Sequence, residues 1–277
     1  MLQSTEMPYD PIQKDHRGDG AAARRIRSTL AGIEKKRSVR ILYACESGSR
    51  AWGMASSDSD FDVRFIYSHD RDWYLSVRAH FLPDVIEAGI ESTPDGVIDC
   101  GGWDVRKALA LMMKSNGAML EWLGSPVVYA HSGCFWESAR SLAPRIISPA
   151  ALWHHYRGLR DASIKRFQGK NTAKVWLYAL RPQLAMLWIE RYLTMPPVSF
   201  AELSSGILPP GLRRSVAAAL EAKLAKTEGE TGFVPAPELQ RFMDGELPRR
   251  PHLPCGPSNE DFAGTVDGLF RAVLAEQ

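Results

Sequence analysis

The sequence has few cysteines, and their spacing matches no common disulfide or metal-binding pattern. Its 277 residues include only four cysteines, and no two of them have the C-x-x-C spacing of a metal or redox motif. None lies near a histidine in a zinc-binding pattern. The sequence therefore predicts neither a disulfide-stapled protein nor a zinc protein, and the thiols are expected to be reduced.

Long apolar runs and a strong net charge are also missing. No run of about eighteen apolar residues occurs, so no membrane contact is predicted. Residues 1–19 are polar and lack the apolar core of a signal peptide, which makes the cytoplasm the expected location. A formal net charge of +2 excludes a histone-like or ribosomal protein, but it is compatible with a local basic groove.

The composition is that of a folded globular protein, with 45% hydrophobic and 24% charged residues. Residues 1–37 are predicted to form an N-terminal arm and a basic amphipathic helix. Strand and helix patterns alternate over residues 38–145, and residues 146–277 are helical by pattern. We therefore predict an α+β fold, in which a short mixed β-sheet with helices precedes a helical domain that closes over a cleft.

Two aspartates stand at the start of the second predicted strand, which covers residues 60–67. Side chains two apart on a strand share a face, so Asp60 and Asp62 should converge while Phe61 and Val63 turn towards the core. Adjacent carboxylates repel each other unless a cation lies between them, and Mg²⁺ prefers oxygen ligands. A lone D-x-D is as often a solvated strand end, so this pattern by itself leaves both interpretations open.

A Gly-Ser turn upstream of the aspartates favours the metal interpretation. Gly48 and Ser49 follow a predicted strand over residues 39–45, and glycine lets a ligand approach the backbone closely. Ser49 offers a hydroxyl and a backbone N–H to phosphate, and a short helix starting here would favour an anion at its N-terminus. Together the turn and the D-x-D predict a site for a triphosphate and two divalent cations.

A third carboxylate is expected on a neighbouring strand. Residues 80–94 look like a variable connection and residues 96–100 like a third strand, which makes Asp99 the first choice. Asp104 competes with it, although its position before a helical pattern favours a capping role. Asp58 is a weaker choice in a turn cluster. Arg64 shares the strand face of the D-x-D pair and could bind either a carboxylate or a phosphate.

The helical half offers a basic and aromatic face. Lys174, Tyr178 and Arg181 lie within about 60° of one another on a helix predicted over residues 172–193. They could hold a triphosphate tail while Tyr178 stacks on a base. A solvated face with a snorkelling lysine is the alternative. Pro182 is expected to kink this helix or to begin it.

The motifs together resemble a known family. The sequence resembles the YcgL-like predicted nucleotidyltransferases, also described as RNA-ligase-associated nucleotidyltransferases of the DNA-polymerase-β type (the RlaP family), over roughly residues 38–205. The specific match is in residues 44–53 and 57–67; residues 102–109, 114–116, 120–123 and 177–182 match less specifically. From this resemblance we would expect Pro after Asn116, where this sequence has Gly117.

The resemblance implies a polymerase-β-type palm over residues 38–145, an NTP and a divalent metal. Carried over residue by residue, it implies phosphate binding by Gly48 and Ser49 and metal binding by Asp60 and Asp62. We expect two Mg²⁺ ions, with Mn²⁺ as a substitute, and Asp99 as a metal ligand or as base.

Three functions follow as hypotheses. The first is transfer of NMP from an NTP to an RNA 3′ end, in RNA repair or tRNA-end processing and in association with an RNA ligase. The second is nucleotidylation of a small molecule or a protein. The third is a nucleotide- or RNA-binding module without activity, against which the intact Gly-Ser and D-x-D motifs argue.

Overall fold

A computed structural model describes residues 20–78, 81–94, 96–169, 172–224, 232–245 and 252–276. The predicted arm over residues 1–19 lies outside the described residues. The strands are β1 (Arg40–Glu46), β2 (Phe61–Ser68), β3 (Val85–Thr93), β4 (Gly96–Asp104) and β5 (Val128–His131). The first six helices are α1 (Ala21–Arg37), α2 (Gly48–Ala51), α3 (Arg71–Leu75), α4 (Val105–Met113), α5 (Gly117–Leu123) and α6 (Phe135–Ile146). The others are α7 (Pro149–Gly169), α8 (Ala173–Tyr192), α9 (Phe200–Ile207), α10 (Pro210–Leu224), α11 (Pro237–Asp244) and α12 (Asn259–Ala275).

The five strands form one mixed sheet in the order β3-β4-β2-β1-β5. β2 and β4 are parallel, and the other neighbouring pairs are antiparallel. Among the described residues after 148, the regular elements are all helices. The predicted α+β class, with a short mixed sheet followed by a helical half, is therefore confirmed.

One prediction about local structure was wrong, and one of the two alternatives left open at Pro182 is excluded. The supposed variable connection over residues 80–94 contains β3, which pairs along its length with β4. Its side chains are mostly exposed, so it carries no apolar alternation, and the hydrogen bonds to β4 make it a strand. The helix containing Pro182 does not begin there. α8 begins at Ala173 and continues past the proline, because it is buried on nearly all sides by the rest of the helical half.

The sheet is covered on both faces. On the back face Ile26 and Leu30 of α1 are buried in one apolar cluster with Val63 and Phe65 of β2. On the front face a larger apolar cluster joins β1 and β2 to the helices from α4 to α12. This cluster includes both Ile66 of the sheet and residues of α8, so the helical half packs directly on the front of the sheet. None of the helices described is long and apolar enough to cross a membrane.

Two short helices on the front face of the sheet, α4 and α5, begin at residues whose side chains cap them. The Asp104 carboxylate accepts a hydrogen bond from the Arg106 amide at 2.8 Å, and the Asn116 side chain accepts one from the Met119 amide at 3.0 Å. The predicted capping role of Asp104 is thus present at the start of α4.

The predicted domain boundary near residue 145 falls at the end of α6.

Candidate active site

Two of the three predicted carboxylates face each other across neighbouring strands. In the parallel pairing of β2 with β4, Asp62 lies opposite Asp99. Their side chains are 34% and 40% exposed, whereas Val63 on the other face is fully buried. The alternation expected for the D-x-D strand is therefore present, and it delivers Asp62 to the front of the sheet beside Asp99.

Asp60 is placed differently from its partner in the motif. It stands one residue before β2 begins and is exposed to solvent. The guanidinium of Arg50 fixes the backbone here, donating to the Asp60 carbonyl at 3.1 Å and to the Ser59 carbonyl at 2.6 Å. Asp60 is close enough to raise the pKa of Asp62 by charge repulsion. No local sequence pattern predicts this role of Arg50, which depends on the turn between α2 and β2.

Arg64 bridges the two facing acids. Its Nη2 donates to Asp99 Oδ2 at 2.7 Å and lies 3.4 Å from Asp62 Oδ1, and its Nη1 donates to the Asp99 carbonyl at 3.1 Å. The alternative third acid, Asp104, is fully buried and is bound by the Tyr74 hydroxyl at 2.8 Å. The structure thus brings Asp99, and not Asp104, beside Asp62.

The Gly-Ser turn touches the acid site directly. Gly48 has φ +59°, and a Cβ atom built on it would lie 2.1 Å from Asp62 Oδ2. The Ser47 amide donates to the Asp62 carbonyl at 2.8 Å, which ties the turn to β2. Ser49 is buried at the start of α2. A glycine is required here twice over, for its backbone conformation and for the space that the Asp62 carboxylate occupies.

Replacing Gly48 by alanine should therefore disable the site. We expect at least about a hundredfold loss of activity, because the methyl group must displace the Asp62 carboxylate. Gly53→Ala is a matched control, since Gly53 has φ +72° and no described atom within 4 Å of an added Cβ. Both variants carry a left-handed penalty of about 1–2 kcal/mol, so thermal unfolding should show similar losses of stability. Equal activities of the two variants would contradict the contact.

The charges around Asp62 favour a cation. Burial raises the pKa of Asp62, Arg64 lowers it, and Asp99 and Asp60 raise it. Lys174 of α8 also lowers this pKa, which places its charge within reach of the acids. The donors are carboxylate oxygens, the kind that Mg²⁺ prefers.

No group of three or more His, Cys, Asp or Glu residues poised to hold a metal ion occurs in the described part of the chain. The site nevertheless suits a hard cation in chemistry and in charge. Its two carboxylates face each other, a guanidinium already bridges them, and Gly48 beside them has no side chain. Asp62 and Asp99 are the residues that could hold it, with Asp60 next to them.

A further carboxyl group, Glu46, lies directly behind the site and was not predicted. It is 1% exposed, its Oε1 accepts a hydrogen bond from the Asp62 amide at 2.7 Å, and its Oε2 accepts one from the Tyr129 hydroxyl. Burial raises the pKa of Glu46 to about 7, despite these two hydrogen bonds. The sequence offered little signal, because Glu46 continues an apolar strand and its partners come from β2 and β5.

Glu46 should make stability depend on pH. Its carboxyl holds a proton more tightly in the folded than in the unfolded chain, so stability should fall as pH rises from about 4.5 to 7. Glu46→Gln should remove this fall and raise stability above pH 7, by at most about 3 kcal/mol. Thermal unfolding of the unmodified protein and of Glu46→Gln, from pH 5 to pH 8, measures this change in stability. Parallel pH profiles would show that Glu46 ionises normally in the folded protein.

A cavity of about 390 Å³ opens beside the Gly-Ser turn, between α2 and helices α5, α7 and α8. Aromatic rings from Trp52, Trp122 and Tyr178 form much of its wall, and Tyr178 meets Trp52 edge-on with ring centroids 5.2 Å apart. The predicted face of α8 therefore meets the turn, with Tyr178 and Arg181 at the cavity and Lys174 near the acids. The remaining lining residues are Ser47, Gly48, Ala118, Glu121, His155, Leu159, Ala162, Ser163, Arg166 and Pro182.

Arg181 occupies the wall of this cavity as half of an ion pair. It is 3% exposed, donates to Glu121 Oε1 at 2.8 Å and lies over the Trp52 ring at 4.2 Å. Glu121 also accepts from the Trp52 indole at 3.1 Å and from the Tyr156 hydroxyl at 2.8 Å. Burial raises the pKa of Glu121, but Arg181 and these donors outweigh it and leave the pKa below its usual value. A phosphate contact by Arg181 remains a prediction.

Gly117, where the resemblance implies Pro, lies close to a side chain of the cavity wall. A Cβ atom at this position would lie 2.4 Å from the ring of His155, which lines the cavity. Burial lowers the pKa of His155, so its ring is neutral near pH 7. A proline at position 117 would therefore require the imidazole to move.

Comparison with known proteins identifies the class. The model of the RlaP family, described as the RNA repair pathway DNA polymerase beta family, matches residues 22–271. The mixed sheet, the Gly-Ser turn and the facing acids accordingly belong to a nucleotidyltransferase of the DNA-polymerase-β type. The chain belongs to the RlaP family, as its sequence motifs predict.

The uncharacterized protein YcgL of Bacillus subtilis (strain 168) is a relative. It is 41% identical over 202 residues, which cover 72% of this chain and 75% of that protein. Among solved structures, a nucleotidyltransferase-like protein from Exiguobacterium sibiricum 255-15 aligns over 72% of this chain and 73% of its own. Its identity to this chain is 8%, and its TM-score is 0.31.

Proposed function

We propose that the protein transfers a nucleoside monophosphate from an NTP to the 3′ hydroxyl of an RNA. The contact between the Gly48 backbone and the Asp62 carboxylate is the observation on which this proposal depends, because it joins a phosphate-binding turn to an acid site. The RNA acceptor is supported by the family description, which names an RNA repair pathway. Association with an RNA ligase and a cytoplasmic location are parts of the same proposal.

The reaction exchanges one phosphorus–oxygen bond for another. The acceptor hydroxyl oxygen bonds to the α-phosphorus, the bond from the α-phosphorus to the bridging oxygen breaks, and pyrophosphate leaves. Two Mg²⁺ ions, or Mn²⁺ ions, would supply charge neutralisation for the attacking and leaving oxygens. Asp60, Asp62 and Asp99 are the residues we propose to hold them, and Asp99 could instead accept the proton of the acceptor hydroxyl.

The turn and the helical half would bind the nucleotide. Gly48 lets phosphate oxygens approach the backbone, and the first amides of a helix have no acceptor within the helix. Lys174 lies close enough to lower the pKa of Asp62, so its ammonium can also neutralise a triphosphate. Tyr178 lines the cavity and could stack on the base. In this proposal residues 146–277 act as the domain that closes the cleft over residues 38–145.

The test is label transfer by the full chain. Each of the four NTPs, labelled at the α-phosphate, is incubated with Mg²⁺, the protein and RNA ending in a free 3′ hydroxyl. We expect labelled RNA that is one or more nucleotides longer. The same RNA with an oxidised 3′ end is the matched acceptor control and should stay unlabelled.

Other outcomes identify the other functions. Label on a protein or a small molecule in cell extract, with none on RNA, would replace the RNA acceptor by nucleotidylation of that molecule. If no NTP labels any acceptor, and Asp60→Ala with Asp62→Ala leaves the biological effect intact, the protein is a binding module and catalysis is excluded.

A further inference from the structure

The two facing acids are bridged by a cation that belongs to the chain itself. Arg64 Nη2 lies 2.7 Å from Asp99 and 3.4 Å from Asp62. The three side chains are 23%, 40% and 34% exposed, so water and ions can reach them. A guanidinium therefore stands between the two carboxylates that the proposed function assigns to metal ions.

We propose that Arg64 is a place-holding cation, which neutralises Asp62 and Asp99 in the metal-free protein and is displaced from them when a divalent cation binds. This inference rests on the proposed function, because it concerns the same two acids. Arg64 therefore has a positioning role that differs from that of a fixed ion pair, since removal of a fixed pair would leave the affinity for a divalent cation unchanged.

The backbone explains how one guanidinium reaches both acids. Arg64 is two residues beyond Asp62 on the same face of β2, and Asp99 lies opposite Asp62 on β4. Opposite Arg64 itself stands Gly101, whose added Cβ would lie 3.8 Å from Arg64 Nη1. The guanidinium thus lies across β4 in ordinary van der Waals contact with this position, and Nη1 donates to the Val63 carbonyl at 3.0 Å.

Both carboxylates face the same guanidinium nitrogen, Arg64 Nη2. A divalent ion carries twice the charge of the guanidinium and interacts more strongly with the same oxygens. Removing Arg64 should therefore leave the two acids repelling each other and strengthen their affinity for a divalent ion.

The test measures the affinity of the full chain for Mn²⁺ alone, by the electron paramagnetic resonance signal of the free ion. We expect Arg64→Gln to lower the dissociation constant roughly tenfold, about 1.4 kcal/mol, relative to the unmodified protein. Metal-free Arg64→Gln should melt at a lower temperature, and Mn²⁺ should raise its melting temperature more than that of the unmodified protein. Arg64→Lys keeps the charge but loses the two-pronged geometry of the guanidinium, so its dissociation constant for Mn²⁺ should lie between those of the unmodified protein and Arg64→Gln.

Two controls separate this effect from a general change in charge. Arg40→Gln removes the same charge at a pair with Glu276, and it should leave the Mn²⁺ affinity unchanged. Adding Asp99→Asn to Arg64→Gln should abolish the gain in Mn²⁺ affinity, because the Asp99 carboxylate that the loss of Arg64 makes available is then missing.

The outcomes distinguish this inference from the proposed function. Mn²⁺ binding that Asp62→Asn weakens but Arg64→Gln leaves unchanged, or weakens, overturns the place-holding role and leaves the proposed function standing. No Mn²⁺ binding by any of these proteins overturns both. If Arg64→Gln fails to fold, Arg64→Lys decides: an affinity equal to that of the unmodified protein overturns the inference.

Discussion

Asp62→Asn should lower nucleotide transfer at least about a thousandfold, which corresponds to several kcal/mol of lost transition-state stabilisation. Asp62 is the acid that contacts the Gly48 turn, lies opposite Asp99 and accepts Arg64, so it joins every part of the site. Asparagine has nearly the same shape but lacks the charge. The measurement is the initial rate of label transfer to RNA at saturating NTP.

The same substitution should not harm the fold. Because the pKa of Asp62 is raised in the folded protein, its ionised form disfavours folding at pH values above that pKa. Asp62→Asn removes this penalty and should keep or raise the melting temperature at neutral pH. Asp58→Asn, an exposed turn residue nearby, is the control and should retain activity. Full activity of Asp62→Asn would remove the basis of the proposed chemistry.

The second large effect is expected at the buried pair of Arg181 and Glu121. Their side chains are 3% and 12% exposed, and Arg181→Met would leave a buried carboxylate without its cation. Breaking such a pair costs about 3–5 kcal/mol, which should lower the melting temperature by roughly 10 °C in a chain of this size. Arg157→Met removes an arginine from a half-exposed pair with Asp161 on α7, and its cost should be below about 1 kcal/mol.

The pair should also respond to acid. The pKa of Glu121 is lowered in the folded protein, so its contribution to stability is present above the unfolded value of 4.5 and is lost as pH falls through the folded pKa. Arg181→Met should therefore cost much less stability under acidic conditions than at pH 7. Denaturant unfolding of both proteins at each pH measures the difference, and a cost that does not vary with pH would contradict this pairing.

Loss of the pair should affect substrate binding as well as stability. Glu121 holds the Trp52 indole, and Trp52 meets Tyr178 at the cavity next to the Gly-Ser turn. One acid thus links α2, α5, α7 and α8 around the cavity. None of this could be predicted from the sequence, because Glu121 shares a helix with apolar residues and its partners are distant in the chain.

Local patterns in the sequence were sufficient for the elements that carry the site. The apolar alternation of β2 turns Val63 inwards and Asp62 outwards, since a strand repeats every two residues. The turn at Gly48 and the caps at Asp104 and Asn116 depend on residue types whose backbone preferences are local. The motifs of the same stretch were specific enough to indicate the family.

Only the tertiary structure decided which groups meet. The parallel register of β2 and β4 places Asp99 beside Asp62, and the pairing of β3 with β4 makes a strand from a segment without apolar alternation. The burial that raises the pKa of Glu46 and the pairing with Arg181 that lowers the pKa of Glu121 likewise depend on partners far along the chain. Sequence periodicity reports which face a side chain takes, whereas its neighbours and its exposure to water depend on how the elements pack.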